Sequence, residues 1–424
     1  MGKTAVFCIA LAVILVLPVF ASPELMLPLS LPTASSNGFG GTHVAYTDDV
    51  FALLVNPAAI TRVEQRSFFT LAPSLLNPES TYALINPLMD LLNNDTNALV
   101  DMADTLSKQK GKITLGLELR EFPFSIAWVA DGFGFGLWSR FFLNFNIIGD
   151  YLEANAYGDV MLPIGFAFKI LDLERHSVDA GVTIKPFVRV MALAQENFLD
   201  LADSLDDFIN DFSVPVIAGA GLNLGLLYRW DIGFQAGLTF DDVYSYGAVV
   251  HNFGGTSSAD SYYFPFRMNL GIAYDFRIGR FVENAPGLVK KLGFTFAADW
   301  RDMTNAFIQK DYLYSRNLLL DFGVGLQVSL FDIGYVRLGM NEMLPCFGLG
   351  CYLGPVKLDL AYYGKEYGYE PGQLSAAVVD LSIAIRPGAK KRDWPWTRRS
   401  IFGLAGIERE KSPGIDASEI EEQL

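Results

Sequence analysis

Val216-Ile217-Ala218-Gly219-Ala220-Gly221-Leu222-Asn223-Leu224-Gly225-Leu226-Leu227-Tyr228-Arg229-Trp230 is the stretch that decides the fold. Its even positions (Val216, Ala218, Ala220, Leu222, Leu224, Leu226, Tyr228, Trp230) are apolar. The odd positions between them include Gly219, Gly221, Asn223, Gly225 and Arg229. Successive side chains of a strand point to opposite faces, so period-two alternation makes one greasy face and one small or polar face. The pattern recurs along the chain. Phe266 to Ile278 carries Arg267, Asn269, Asp275 and Arg277 between its apolar positions. Leu292 to Trp300 is flanked and interleaved by Lys291, Thr295, Asp299 and Arg301, and Leu318 to Leu330 by Asn317, Asp321, Gln327 and Ser329. Val178 to Ala192, Val356 to Tyr362 and Ala377 to Ile385 follow it too.

A soluble sandwich buries the apolar face and wets the polar one; a membrane barrel turns the apolar face to lipid and the polar face to a lumen. Many of these segments exceed ten residues, longer than the five or six usual for soluble strands. Bulky aromatics gather near their ends, as at a membrane interface. The opposite face mixes charges of both signs with glycine. These features predict an all-β chain: a transmembrane antiparallel β-barrel. Trp230-Asp231-Ile232-Gly233-Phe234 recurs as Phe331-Asp332-Ile333-Gly334-Tyr335, two short turns that belong on the periplasmic side. Working outward from them gives about fourteen strands, near 67–76, 112–130, 133–145, 153–171, 176–193, 214–230, 231–240, 264–278, 291–302, 316–330, 332–342, 346–353, 355–364 and 377–386. An even number leaves both ends of the barrel in the periplasm. In 112–130 the apolar phase switches from odd (Ile113, Leu115, Leu117, Leu119) to even (Phe122, Phe124, Ile126, Trp128), which fits a bulge near Glu121 and Pro123 or a hairpin.

Composition agrees. Of 424 residues, 51% are hydrophobic and 19% charged, with a net charge of −15. The only apolar run approaching the length of a membrane helix is N-terminal. Lys3, the apolar stretch from Ala5 to Leu17 and Val19-Phe20-Ala21 read as a signal peptide cut after Ala21. That gives a signal at 1–21, an N-terminal segment at 22–66, a barrel at 67–386 and a periplasmic tail at 387–424, which starts basic (Lys390, Lys391, Arg392) and ends acidic (Glu419, Glu421, Glu422). Cys346 and Cys351 survive cleavage, either as a disulfide or as two packed thiols. No basic patch interleaved with aromatics points to nucleic acid. His43, His176 and His251 stand apart from nucleophiles, so no enzyme, cofactor or metal site is expected.

The longer insertions, at 77–111, 194–213, 241–263, 303–315 and 365–376, fall outside the cell. Phe198, Leu201, Leu205, Phe208 and Phe212 share one helical face, and Leu84, Leu88, Leu91 and Leu92 form a weaker stripe. Leu88, Leu92 and the first set either line a groove for an apolar solute or cap the rim. Arg140, Lys185, Arg189, Arg229, Arg267, Arg277 and Arg301 fall on the lumen phase with Asp179, Asp275, Asp299 and Asp321. Such cations hold a ligand carboxylate or, more often, brace the wall by pairing.

Before the first strand stands Gly38-Phe39-Gly40-Gly41-Thr42-His43-Val44-Ala45-Tyr46-Thr47-Asp48-Asp49-Val50, then Ala52 and Asn56-Pro57-Ala58-Ala59. This resembles the N-terminal signature of the FadL-like outer-membrane proteins, which include long-chain fatty-acid transporters and PorV-like components of protein secretion. The resemblance implies a fourteen-stranded barrel with an N-terminal hatch, or plug, and short helices in the outer loops. It also implies passive uptake of long-chain fatty acids or similar hydrophobic solutes when the hatch shifts, with some solutes leaving sideways through the wall. Asn56, Pro57 and Ala58 would form the hatch motif: Pro57 fixes φ and removes a donor, and Asn56 caps the turn. The alternative function is a PorV-like barrel serving protein secretion. The expected partners are apolar small molecules and outer-membrane lipid, with the chain a monomer. The tail after Arg386 departs from the pattern of barrels that end on an aromatic residue in the last strand.

Overall fold

In the computed structural model each alternating stretch is a strand, and every wall strand pairs antiparallel with its chain neighbours. The structure describes residues 24–25, 29, 32–47, 49–63, 65–67, 69–78, 112–130, 132–148, 151–197, 213–254, 260–278, 289–304, 316–331 and 333–385. The expected signal peptide, the tail from 387, and most of the outer insertions lie outside these residues.

The wall opens with β2 (Gln65–Ser67) and β3 (Phe69–Leu76), which together make one strand, followed by β4 (Lys112–Ala130) and β5 (Phe133–Ile148). Then come β6 (Tyr151–Met161) with β7 (Ile164–Asp172), β8 (His176–Asn197), β9 (Ser213–Trp230) and β10 (Phe234–Gly254). Next are β11 (Ser261–Tyr263) with β12 (Arg267–Arg277), β13 (Gly293–Trp300), β14 (Phe322–Leu330), β15 (Gly334–Asn341) and β16 (Leu344–Leu353). The last two are β17 (Val356–Glu366) and β18 (Ser375–Ile385). Taking each joined pair as one gives 14 wall strands, and β18 closes the ring on β3, with Asp380 opposite Ser74 and Ile383 opposite Leu71. A further short segment, β1 (Glu24–Leu25), pairs parallel with β11.

The pleat sorts side chains as the alternation requires, but inside out relative to a soluble protein. Outward positions such as Phe135, Phe141, Phe166, Ile184, Leu226, Phe296, Leu338 and Leu360 are exposed. Inward positions such as Asp159, Asp179, Thr183, Lys185, Arg189, Asn223, Thr295, Gln327 and Arg337 are buried. Among the described residues, 40 large apolar side chains are exposed. At about 1 kcal/mol or more each in water, their exposure would exceed the roughly 5–15 kcal/mol that holds a whole domain folded. Hydrocarbon removes that cost, so the outer face is a lipid face and the barrel is transmembrane.

Several boundaries differ from the sequence reading. The strand expected at 231–240 runs on to Gly254. Asp242 has φ +51°, and a register shift between Phe240 and Tyr244 marks a bulge past which the ladder continues. Of the insertion expected at 241–263, residues 241–254 belong to β10 and 261–263 to β11. The strand expected from 316 begins at Phe322, because Leu318–Asp321 is a 3-10 turn whose first turn is capped by the Asn317 side chain. The apolar phase switch in β4 is a bulge: Arg120 pairs with Arg140 and Ser125 with Trp138, leaving 121–124 opposite Ser139, and Glu121 has φ +63°. Between β6 and β7 the chain breaks at Leu162-Pro163. The wall stays closed there because Gly136 N–H donates to Pro163 O at 3.0 Å and Leu162 N–H to Pro186 O at 2.9 Å.

The wall has uneven height. Strands β13 to β18 have 8–11 residues, about what a tilted strand needs to cross a bilayer. Strands β4, β5, β8, β9 and β10 have 16–22. The turns at 231–233, 331–333 and 354–355 lie at one end and the Glu342-Met343 turn at the other. The extra length of β4, β5, β8, β9 and β10 lies toward the end of the Glu342-Met343 turn.

Ahead of the wall, Thr33 caps α1 (Ala34–Gly38), Asp49 caps the 3-10 turn Val50–Leu53, and Asn56 caps the 3-10 turn Pro57–Arg62. Leu53, Ala58 and Ile60 have no exposure at all.

Candidate functional site

The N-terminal segment lies against the inner face of the wall, and glycines in the strands admit it. A Cβ built on Gly181 would come within 2.3 Å of Pro57 C, and one on Gly225 within 2.3 Å of Asn56 Oδ1. On Gly165 it would come within 2.5 Å of Ile60, on Gly237 within 2.4 Å of Val44 O, on Gly325 within 2.2 Å of Phe39 O and on Gly348 within 3.0 Å of Gly38 Cα. These glycines sit on β7, β8, β9, β10, β14 and β16; at Gly181, Gly237, Gly325 and Gly348 backbone meets backbone, and at Gly165 and Gly225 the wall meets the Ile60 and Asn56 side chains. Any side chain there would fill the space the segment occupies.

Asn56, Pro57 and Ala58 come together at this contact. The buried Asn56 side chain accepts the Ala58 N–H at 3.1 Å, which caps the turn. Its Nδ2 donates to Val44 O at 2.8 Å and to Leu226 O of β9 at 3.3 Å. One amide thus ties two parts of the segment to the wall.

Inward carboxylates make the other attachments. Asp299 Oδ2 accepts the backbone N–H groups of His43 and Val44 at 2.6 and 2.9 Å. Asp380 accepts Asn37 Nδ2 at 2.7 Å and pairs with Arg120, whose guanidinium also reaches Pro32 O. Asp179 takes Arg62 Nε at 3.0 Å. The His43 imidazole is held down to a pKa of about 4, first by burial and next by the positive charge of Arg301.

The cations read from the sequence as a possible carboxylate cradle have partners in the wall. Arg140 pairs with Glu118 at 2.8 Å, Lys185 with Asp242 at 2.9 Å and Arg189 with Asp159 at 2.6 Å. Arg229 lies 3.9 Å from Asp179 and Arg267 3.7 Å from Asp241, while Arg301 Nη2 donates to Asn341 Oδ1 at 2.6 Å. The acids Glu118, Asp159, Asp241 and Asp242 were not singled out in the sequence.

Sequence reasoning also missed an apolar inner surface. Trp138, Phe142, Tyr157, Met161, Phe187, Met191, Ile217 and Phe264 are buried in one cluster with Leu53, Ile60 and Val63 of the N-terminal segment. Phe142 and Tyr157 stack 5.1 Å apart with 5° between their planes, and Phe187 lies 4.8 Å from Phe264. Arg189 packs over both Tyr157 and Phe264 at 5.6 and 5.4 Å. The groove residues expected in the outer loops (Leu88, Leu92, Phe198, Leu201, Leu205, Phe208, Phe212) lie outside the described residues.

Cys346 and Cys351 are free. They sit five residues apart on β16, hence on opposite faces and about 16 Å apart along the strand, far beyond disulfide reach. The Cys346 thiol accepts the Gly40 N–H at 3.2 Å.

No family model and no curated protein matches the chain. Among solved structures, it is similar to the toluene transporter TodX of P. putida at 12% identity, covering 84% of this chain and 97% of that one with a TM-score of 0.45. It is similar to the toluene transporter TbuX of Ralstonia pickettii at 11% identity, covering 84% and 97% with a TM-score of 0.42. It is also similar to a Pseudomonas aeruginosa FadL homologue at 10% identity, covering 85% and 99% with a TM-score of 0.42. The fold itself stands on the strand register and on which faces are exposed.

Proposed function

We propose that this chain is an outer-membrane uptake channel for hydrophobic solutes, long-chain fatty acids or similar apolar molecules among them, with residues 22–66 acting as its hatch. The observation that carries this reading is the apolar inner surface of β5, β6, β8, β9 and the segment after β11. A lumen built to pass water and ions gains nothing from Phe142, Tyr157, Phe187, Met191 and Phe264, since each forgoes a polar lining. An apolar solute gains there the transfer free energy that it loses on leaving lipid or micelle. The lumen cations serve to brace the wall, because their charges are spent on neighbouring acids. The hatch keeps small ions from leaking while solute passes along the apolar side. The bulge at 121–124 of β4, where the pairing with β5 shifts register, lies beside that side.

The test is uptake by liposomes carrying the purified full-length protein, with radiolabelled oleate and toluene as separate solutes and glucose as the polar control. Uptake of either apolar solute above empty liposomes, with no gain for glucose, is the expected outcome. Equal rates with and without protein would overturn the reading. Mass spectrometry of lipids retained through detergent purification adds an independent readout.

A further inference from the structure

At the end of the wall that carries the 231–233 and 354–355 turns, strands overhang their neighbours by differing lengths. β14 ends on Leu330, one residue beyond Ser329, the last residue paired with β13. β16 ends on Leu353, two beyond Cys351, and β12 on Arg277, three beyond Tyr274. β7 ends on Asp172, six beyond Phe166, the last residue paired with β5. The first of those six still bonds across, since Ala167 N–H donates to Gly132 O at 2.7 Å. From Phe168 to Asp172, β7 has β8 on one side and, among the described residues, no strand on the other.

In an antiparallel strand the backbone groups of alternate residues point to the same side. The N–H and C=O of Lys169 therefore face the same way as those of Ala167, into the open side. The register shift against β8 falls between Lys169 and Leu171, after these groups, so they keep that direction. The side chains beside them are open too: Phe168 is 60% and Ile170 57% exposed, and Leu171 and Leu173 are exposed as well. These two facts conflict in any single solvent. Hydrocarbon suits Phe168 and Ile170 but leaves the backbone groups unsatisfied. Water satisfies the backbone and leaves the apolar side chains hydrated. One added strand answers both. A lysine often guards an edge against such pairing, but Lys169 Nζ is paired with Asp172 Oδ2 at 2.7 Å, so the guard is neutralised.

We infer that the open edge of β7, from Phe168 to Asp172, is a docking edge on the periplasmic side for an extended polypeptide of another protein, which joins the wall as a short strand. The edge sets the partner's chemistry. Its sequence alternates, apolar where side chains stand beside Phe168 and Ile170, and polar without net charge beside the Lys169–Asp172 pair. A second copy of this chain does not fit. Two copies in one membrane, related by rotation about its normal, bring their β7 strands together in parallel. A parallel ladder needs a stagger between its strands that such a rotation cannot supply. The inference is independent of what the lumen carries.

The test is binding of a fluorescent octapeptide of alternating threonine and valine to the detergent-purified full-length protein, read by anisotropy, with protein-free micelles as the blank. The control is the same peptide with its backbone nitrogens methylated, which keeps the side chains and removes the donors. The native protein should bind the first peptide and not the second. Lys169→Pro removes the outward N–H and spares the ladder to β8, because proline is tolerated where a strand N–H faces away from its partner. It should weaken binding roughly tenfold or more, whereas Lys169→Ala, which keeps the N–H, should bind as the native protein does. Heat-modifiable gel mobility establishes that each variant keeps the folded barrel, and if Lys169→Pro does not, the methylated peptide still decides. Equal binding of the two peptides, no binding to the native protein, or unchanged binding in a folded Lys169→Pro overturns the docking edge. Binding that tightens once residues 387–424 are removed hands the edge to the chain's own tail and overturns the outside partner.

Discussion

Gly225 of β9 faces Asn56 so closely that a Cβ on the glycine would lie 2.3 Å from Asn56 Oδ1 and 2.9 Å from Pro57 Cδ. The contact makes a prediction that separates seating from general strand preference. Gly225→Val should force the Pro57–Arg62 turn off the wall and destabilise the protein by about 1–3 kcal/mol, the usual cost of overpacking. It should also raise ion conductance in planar bilayers, because a displaced segment leaves the lumen open. Gly158 of β6 is the control: nothing lies within 4 Å of a Cβ built there, so Gly158→Ala should change stability by less than about 0.5 kcal/mol. Equal melting temperatures for the two variants would refute the seating argument.

Asn56 loses more than a cap when truncated. Asn56→Ala removes the acceptor for Ala58 N–H and both donors to Val44 O and Leu226 O, all in a site with no exposure. Leaving buried carbonyls unpaired costs about 1–3 kcal/mol, and the lost cap adds about 1 kcal/mol. Thermal unfolding followed by circular dichroism reads the sum. A drop no larger than that of an ordinary surface substitution would mean that water replaces the amide.

How far the sequence carried the fold can be judged from single residues. Alternation from Val216 to Trp230 placed the lipid face and the lumen face of β9 correctly, since Leu226 and Trp230 are exposed and Asn223 and Leu227 buried. It failed after 240, where the strand was ended although the ladder continues past a bulge, a local backbone event that periodicity does not encode. It failed again at Leu318–Asp321, where the Asn317 cap outweighs an alternating pattern. For the site, Asn56-Pro57-Ala58 was legible as a capped turn. The apolar inner wall was legible in principle and overlooked: Phe142 has the parity of Arg140, Tyr157 that of Asp159, and Phe187 and Met191 that of Lys185 and Arg189. Aromatics sharing a phase with wall charges cannot face lipid, and that is the signal a lumen of this kind leaves.

The Arg189–Asp159 pair lies behind those aromatics, with side chains 2% and 0% exposed. Arg189→Met leaves Asp159 buried and unpaired, which should cost about 3–5 kcal/mol. Adding Asp159→Leu should recover most of the loss, because an apolar pair of similar volume is often as stable as a buried ion pair. The double variant keeps the shelf under Tyr157 and Phe264 apolar, so apolar solute binding should survive in it. Unfolding midpoints for the single and double variants form a cycle. Additive losses would show that the two side chains act on stability independently of each other.

The His43 ring gives a pH dependence whose sign can be worked out. Burial and then the Arg301 charge lower its pKa from 6.5 to about 4 in the folded protein. The unfolded chain therefore binds a proton that the folded chain refuses between those two values, and stability falls as protons become available. The contribution is constant above about pH 6.5 and is lost progressively as the pH drops from 6.5 toward 4. A neutral imidazole also matters locally: its backbone N–H is held by Asp299 at 2.6 Å, and a second positive charge beside Arg301 would push against that attachment. His43→Gln keeps a polar side chain that takes no proton, so its melting temperature should fall less than that of the unaltered protein between pH 7 and pH 4.5. Both proteins share every other titrating group, and the difference between their curves isolates His43. Curves that stay parallel over that range would mean that the ring is already open to water and that the N-terminal segment is looser around Val44 than its hydrogen bonds indicate.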